Sequence, residues 1–235
     1  MNQHLAIITI IAAFILYACV YDCDDAKKGI AKANQLVKDS AFKKALDNIN
    51  HSFSKDDKEY VISFGKDTFG HIVSSNIIAG NATNASVPFI DNAFADLHNH
   101  PGNLPPDAGD LYGLIDMNKR NAAYDTRFVI TPTGNLYALF IADTSAAILF
   151  NQKYPRQSPA YKGVQPAFPE KIVDDFREIK YRFNGTDEMA LSFILEKYKT
   201  GVCLLKMNDI GVFKKLVTTV SGKYDRLKFS IQTCP

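Results

Sequence analysis

The chain has 235 residues, of which 46% are hydrophobic and 11% aromatic, enough to bury a core without help from disulfides. Its 27 basic and 25 acidic residues are scattered and leave a formal net charge of +2. This balance excludes the long basic surface that is typical of nucleic-acid-binding proteins, so nucleic acid is not predicted as a partner. We expect one main domain.

The N-terminus carries a run of 14 residues from Leu5 to Ala18 that is apolar apart from Thr9. A membrane-spanning helix needs about 20, so the run predicts a signal peptide over residues 1–18. The sequence LYAC that ends at Cys19 resembles the lipobox of bacterial lipoproteins, which implies a lipid on Cys19 that holds the protein to a membrane. An ordinary cleaved signal and a retained N-terminal anchor helix remain open. All three place the protein outside the cytoplasm, in the cell envelope or on the outer surface, or as a periplasmic or secreted form.

Residues 19–54 form a charged segment in which apolar residues recur at helical spacing, and they predict a helical lead-in. Two β-rich runs follow, EYVISFG (59–65) and GHIVSSNIIAG (70–80), and the short polar link between them predicts a hairpin. A further strand is predicted at NAFADLH (92–98), which runs directly into two histidines.

A helix is predicted after Asp107, which can cap its first turn. The strands TRFVITP and NLYALFIAD follow, joined by a tight Thr-Gly turn, and a short helix is predicted near 143–152. Amphipathic helices at about 170–183 and 187–199 precede three strands: GVCLLKM, GVFKKLV and RLKFSIQ. Residues 55–235 therefore predict a mixed α/β (α+β) domain with a central mixed sheet flanked by helices.

The four cysteines are Cys19, Cys23, Cys203 and Cys234, and no two of them form a CxxC pair. A zinc site built from cysteines is therefore not predicted. Cys203 and Cys234 both lie in strand-like segments, where an exported protein can join them by a disulfide. Buried free thiols are the equally open alternative.

The segment HNHPGNLPPDAGD (98–110) has the residue types of a metal site. Side chains two apart in a strand share a face, so His98 and His100 can reach one ion, and Asp110 returns in the first turn of the next helix. Two imidazoles and a carboxylate with one open position form a typical catalytic Zn²⁺ set. The alternative is that the histidine pair occurs by chance and that Asp107 only caps a helix.

The same segment resembles the signature of the JAMM (MPN-type, JAB-like) metalloprotease family: HxHP, a short proline-rich turn, Ser, two residues and Asp. The length of the turn is closest to the bacterial, Bacteroidetes-type branch, and the resemblance covers about residues 55–145. It implies a three-layer fold like that of cytidine deaminases, with Zn²⁺ on His98, His100 and Asp110. The implied reaction is hydrolysis of a peptide or isopeptide bond in a peptide or protein substrate.

Two further residues are candidates for catalysis. The resemblance implies that Glu59, at the start of the run that ends at Gly65, holds the attacking water, and hydrolysis needs such a carboxylate to move the proton. The alternative for Glu59 is a solvated residue at a strand edge. Asp107 stands where the family has a serine that supports the oxyanion, and an ionised aspartate cannot donate a hydrogen bond. A weak or inactive metal-binding surface protein is therefore the competing prediction.

Metal sites that gather many histidines in a barrel are excluded by the number of histidines in the chain. A strand ending in Asp-x-His-x-His also opens the PHP phosphoesterases and the amidohydrolase barrels, whose sites gather histidines from several later strands. No histidine follows His100 in this chain. An HNH nuclease matches in letters alone, because that motif spreads its residues over a hairpin and a helix.

Overall fold

The computed structural model describes residues 23–157, 168–222 and 227–234. Within them, a nine-stranded mixed sheet is flanked by six α-helices, which is the α/β three-layer class that the sequence predicts. The predicted signal peptide and Cys19 lie outside the described residues. Among the helices that are described, none is both long and apolar enough to cross a membrane.

The helices are α1 (Lys27–Leu36), α2 (Ser40–Phe53), α3 (Ala108–Arg120), α4 (Thr144–Lys153), α5 (Glu170–Arg177) and α6 (Asp187–Lys197). The strands are β1 (Tyr60–Lys66), β2 (Ile72–Ser74), β3 (Ile78–Ala79), β4 (Ala95–Asn99), β5 (Thr126–Ile130), β6 (Leu136–Ile141), β7 (Val202–Met207), β8 (Phe213–Ser221) and β9 (Lys228–Thr233). A π-helical turn, Glu178–Arg182, continues α5.

The sheet has the order β2-β1-β4-β5-β6-β7-β8-β9, and β3 also pairs with β1. The pair β4–β5 is parallel and the other described pairs are antiparallel. Parallel neighbours need a crossover, and α3 supplies it between β4 and β5. The carboxyl end of β4 therefore leads directly to the start of α3, which is where the histidine-rich segment lies.

One face of the sheet is covered by α1 and α2, the helices that the sequence assigns to the lead-in. Their apolar stripes pack with alternate residues of the strands in one buried cluster, which includes Ala33, Leu36, Phe42, Ile49, Ile62, Leu97, Phe128 and Phe140. The side chain of Asp39 caps α2 by accepting a hydrogen bond from the Ala41 backbone N–H at 2.8 Å. Burial of each large apolar side chain contributes about 1.5–3 kcal/mol, so this layer is part of the fold's core.

The opposite face is covered by α3, α4, α5 and α6. The strand side chains that point to this side of the sheet pack with these helices in a second cluster. It includes Leu111, Leu114, Ile115, Val129, Leu139, Ile172, Leu191, Ile194 and Leu204. Strand β4 contributes Leu97 to the first cluster, so its neighbours in sequence, Asp96 and His98, face α3 instead. This alternation puts charged side chains under α3, where they are nearly fully buried.

The cysteine pairing differs from the prediction. Cys23 and Cys234 form the disulfide, with Cα atoms 5.8 Å apart, while Cys203 is a buried free thiol. The proposed Cys203–Cys234 bond is therefore wrong. Helix α1 packs near β8, where the Cys234 backbone N–H donates to Lys215 O at 3.0 Å, and this brings Cys23 to the end of β9. The side chain of Cys203 instead packs in the cluster beneath α1 and α2.

Candidate metal centre

The two histidines lie at the carboxyl end of β4 and share a face. His98 is aligned with Val61 of β1 and Val129 of β5, and the backbone N–H of His100 donates to Ile130 O at 3.0 Å. That bond continues the β4–β5 ladder past the last regular strand residue, so the two-residue spacing keeps both rings on the α3 side. Their Nε2 atoms are 3.1 Å apart.

The carboxylate of Asp110 meets both rings from the first turn of α3. Its Oδ1 lies 3.0 Å from Nε2 of His98, and its Oδ2 lies 3.2 Å from Nε2 of His100. A reciprocal capping box fixes this turn: Asp107 accepts from the Asp110 backbone N–H at 3.1 Å, and Asp110 accepts from the Asp107 N–H at 2.9 Å. The ligand atoms of the three residues lie within 4.8 Å of one another, so the group can hold a metal ion.

The second ring nitrogen of His100 is held by the proline-rich turn. Its Nδ1 lies 3.1 Å from Leu104 O and 3.2 Å from Pro105 O, and carbonyl oxygens only accept hydrogen bonds. A proton therefore belongs on Nδ1, so Nε2, which faces Asp110 and His98, is the nitrogen that would bind a metal when the ring is neutral. Backbone carbonyls commonly orient metal-binding histidines in this way.

His98 has a carboxylate behind it. Oδ1 of Asp96 lies 3.7 Å from Nδ1 of His98, and Asp96 also accepts hydrogen bonds from Arg127 Nε (3.0 Å) and Nη2 (2.9 Å) and from the Tyr124 hydroxyl. Asp96 is fully buried and Arg127 is 7% exposed. Arg127 also donates to the backbone oxygen of Asp110 at 3.3 Å, so one guanidinium connects the partner of His98 to the third ligand.

Asp96 and Arg127 are site residues that the sequence did not nominate. The available signal was weak: Asp96 stands two residues before His98 and so shares its face. Arg127 is the register partner of Asp96 across the parallel β4–β5 pair, which no local pattern reveals. Gly113 of α3 makes room for it, because a Cβ there would approach Arg127 Nη1 to 2.5 Å.

The charges of the cluster favour a cation. Burial raises the pKa of Asp110, but His98 and His100 lower it by a larger amount. The net pKa therefore lies well below the ordinary value. Burial lowers the pKa of His98, but the Asp110 and Asp96 carboxylates outweigh this and raise it to about 10. Burial and the nearby Asp110 charge raise the pKa of Asp107 to about 6. The carboxylates thus stabilise positive charge between the two imidazoles, and a divalent cation supplies such charge.

Glu59 lies beside this cluster. It precedes β1 by one residue and is held by backbone hydrogen bonds to Asn81 O (from its N–H, 2.8 Å) and from Gly80 N–H (2.8 Å). Glu59 stands two residues before Val61, which is aligned with His98, so its side chain lies on the same face of the sheet as His98. Glu59 is only 6% exposed. It is therefore not the solvated edge residue of the alternative interpretation. Burial raises its pKa, against the lowering effect of the two histidines.

A cavity of about 690 Å³ brings these groups together. Its wall contains Glu59, His98, His100, Asp107 and Asp110, which are all five of the site residues that the sequence nominates. Neither protein-family models nor curated protein sequences match the chain. The resemblance to the JAMM family therefore remains a prediction.

Proposed function

We propose that the protein is a zinc-dependent hydrolase of peptide or isopeptide bonds, of the kind that the JAMM resemblance implies. One observation carries the proposal: a buried His-His-Asp group with converging ligand atoms shares a cavity with a buried glutamate. A set of metal ligands alone would also suit a protein that stores a metal ion or uses the ion to stabilise its fold. A carboxylate of raised pKa beside them is what hydrolysis requires in addition.

The donor set suits zinc. Two imidazole nitrogens and one carboxylate oxygen, with a fourth position open to a cavity, are the ligands of catalytic rather than structural zinc sites. His98, His100 and Asp110 would hold the ion, and Asp96 with the proline-turn carbonyls would orient the rings. Zinc bound there would polarise a substrate carbonyl and lower the pKa of water towards about 7.

Glu59 is proposed to move the proton. An ionised Glu59 accepts a proton from the attacking water and then gives it to the leaving amine. Both transfers are favoured when the pKa of the group lies closer to the working pH, and burial shifts the pKa of Glu59 in that direction. Hydrogen bonds from both its N–H and its carbonyl oxygen to the Gly80–Asn81 segment fix the backbone from which this side chain extends.

Asp107 favours a second candidate function. Its side chain accepts the hydrogen bond that caps α3, and it lines the cavity at the place where a hydroxyl donor is expected. A negative charge there disfavours a developing oxyanion, and loss of one such donor commonly costs about 100-fold to 1000-fold in rate. The second candidate is therefore a metal-binding protein with little or no turnover.

The deciding experiment measures zinc content and hydrolysis on the same samples. Wild-type protein is assayed with peptide and isopeptide libraries beside Glu59→Gln, which keeps the size of the side chain and removes the proton acceptor. We expect zinc to stay bound and turnover to fall about 100-fold or more. Glu170→Gln, at the exposed start of α5, is the matched control and should leave turnover unchanged.

Two results would contradict the proposal. Undiminished turnover in Glu59→Gln would remove Glu59 from the chemistry. Zinc-loaded wild type that cleaves no member of either library would leave the metal-binding candidate in its place.

A further inference from the structure

The cavity is a groove that follows one face of α3. The residues of α3 that line it are Gly109, Asp110, Gly113, Asp116, Met117 and Arg120. Their spacing of about one helical turn places them on a single side of the helix. At 1.5 Å per residue, the Cα of Arg120 lies about 15 Å along the axis from that of Asp110. Residues 83–87 also line the cavity.

These dimensions suit an extended polypeptide. An extended chain advances about 3.3 Å per residue, so about four to five residues fit between the metal ligands and the Cα of Arg120. Side chains on a helix lean towards its N-terminus, which brings the guanidinium of Arg120 back towards the metal ligands. A group bound by Arg120 would therefore lie about three to five residues from the bond at the metal.

The two ends of the groove differ in charge. Glu59, Asp107 and Asp110 line the metal end. Two arginines also line the cavity: Arg120, whose Cα lies about 15 Å along α3 from that of Asp110, and Arg156. Both arginines are exposed, and neither forms an ion pair with any residue that the structure describes. Burial raises the pKa of Tyr112 on α3, and the charge of Arg156 opposes part of this rise. Arg156 therefore lies close to α3.

The acidic side chain on the same helix face is already balanced. Oδ1 of Asp116 lies 3.5 Å from Lys119 Nζ and accepts a hydrogen bond from Asn151 Nδ2 at 3.5 Å. It therefore does not neutralise the two arginines by direct contact. A planar guanidinium suits a carboxylate partner, because it can donate two parallel hydrogen bonds to it.

We propose that this groove selects an acidic polypeptide, with an Asp or Glu carboxylate bound by Arg120 and Arg156 about three to five residues from the hydrolysed amide. The inference rests on the proposed function and specifies its substrate class. With a divalent ion bound, the charges of the metal end largely offset one another, because Arg127 also lines it. Arg120 and Arg156 therefore favour an acidic residue farther along the chain and set the register of the substrate.

The test compares peptides that differ only by Glu against Gln, placed at each position from one to six residues on either side of the cleaved bond. With zinc-loaded full-length protein, kcat/KM should be about 3-fold to 10-fold higher for Glu at one position in the three-to-five range. Arg120→Gln/Arg156→Gln should remove that preference, so that kcat/KM becomes equal for the Glu and Gln peptides. Arg177→Gln, an exposed arginine on α5 outside the groove wall, is the matched control and should keep the preference.

The outcomes separate this inference from the proposed function. Cleavage without any Glu preference, or a preference that survives in the double variant, would overturn the inference and leave the hydrolase standing. If zinc-loaded protein cleaves no peptide, the same library is titrated for binding to wild type and to the double variant. Tighter binding of Glu peptides that depends on the two arginines would then sustain the acidic groove, and equal binding would end it.

Discussion

Two clusters of charge that contain buried side chains are built differently in this protein. On β8, fully buried Lys215 donates to both oxygens of Asp25 (2.9 and 2.8 Å) and forms an ion pair with Glu196 at 2.8 Å. At the end of β4, by contrast, two imidazoles and a carboxylate direct their ligand atoms at one another beside a cavity, and other groups hold them from behind.

The difference separates a structural role from a candidate site. The ammonium of Lys215 is a donor that its carboxylate partners satisfy, so the cluster links β8 to α6 and to the segment just before α1. At the His98 cluster the ring nitrogens that face inward are potential ligands, and their geometry is maintained by Asp96, Arg127 and a proline turn. Buried charge alone therefore does not indicate function, whereas converging lone pairs with access to a cavity do.

The largest effect should come from removing the ligands. His98→Ala/His100→Ala should reduce zinc from about one ion per chain to nearly none, because only Asp110 of the three ligands remains. Metal analysis of the purified proteins measures this, with His71→Ala, an exposed histidine at the β1–β2 turn, as the control. Full zinc retention in the double variant would show that the metal binds elsewhere.

A smaller effect should come from the groups behind the ligands. Asp96→Asn removes the charge that faces His98 Nδ1 and should weaken zinc binding about 10-fold to 100-fold. Competition with a chelator of known affinity gives the constant. Asp125→Asn, which alters the partly buried ion pair with Lys32, is the matched control for general destabilisation. An unchanged zinc affinity in folded Asp96→Asn would make the Asp96–Arg127 pair structural only.

The next effect concerns the residue that departs from the family pattern. Asp107→Ser keeps an N-cap for α3 and removes a negative charge from the cavity. Peptide hydrolysis should rise about tenfold, which corresponds to about 1.4 kcal/mol of transition-state stabilisation. The rates are compared after zinc content has been shown to be equal. The same rate in both forms would mean that Asp107 has no part in the chemistry.

The smallest effect on zinc binding should come from the Lys215 cluster. Lys215→Met should leave the zinc affinity unchanged, while it lowers the free energy of unfolding by about 1–3 kcal/mol, because the partly exposed Asp25 and Glu196 lose their partner. Chelator competition and denaturant unfolding measure the two quantities. A large loss of zinc affinity in the folded variant would contradict the separation of the clusters.

The contribution of Lys215 should also depend on pH. Burial lowers its pKa, but Cys203, Asp25 and Glu196 outweigh this, so the net pKa lies above the ordinary 10.5. A raised pKa stabilises the fold fully below 10.5, and this stabilisation is lost as the pH rises through the folded-state value. The difference in unfolding free energy between wild type and Lys215→Met should therefore be constant near neutral pH and narrow above about pH 10.5.

The sequence predicted the elements more reliably than their long-range partners. Alternating apolar residues, the cap at Asp107 and the turn at Gly134 are local signals, and the strands and helices around them are confirmed. The run 70–80 differs, because it forms two short strands, β2 and β3, that both pair with β1. The strand before the histidines begins at Ala95 rather than at residue 92, since Asn92 has a left-handed backbone with φ of 50°. Local propensity does not specify such a turn uniquely.

The same limit explains what was missed at the site and in the disulfide. The histidines and Asp110 lie within one short segment whose geometry follows from a strand, a turn and a helix cap. Arg127 reaches Asp96 only through the parallel register of β4 and β5, and Cys23 reaches Cys234 only because α1 packs near β8. Both contacts depend on tertiary packing, which no spacing rule in a single sequence encodes.

The Cys23–Cys234 bond closes a loop with a sequence separation of 211 residues that contains every strand and every helix described. A protease that cuts one peptide bond anywhere inside this loop cannot release a fragment, because the two pieces are still one covalent molecule. Their effective concentration for each other stays high, so a nicked chain can keep its sheet and its candidate metal site assembled. After one such cut, the Cys23–Cys234 bond must also be reduced before the two pieces can separate, so the disulfide makes the domain tolerant of a single proteolytic cut.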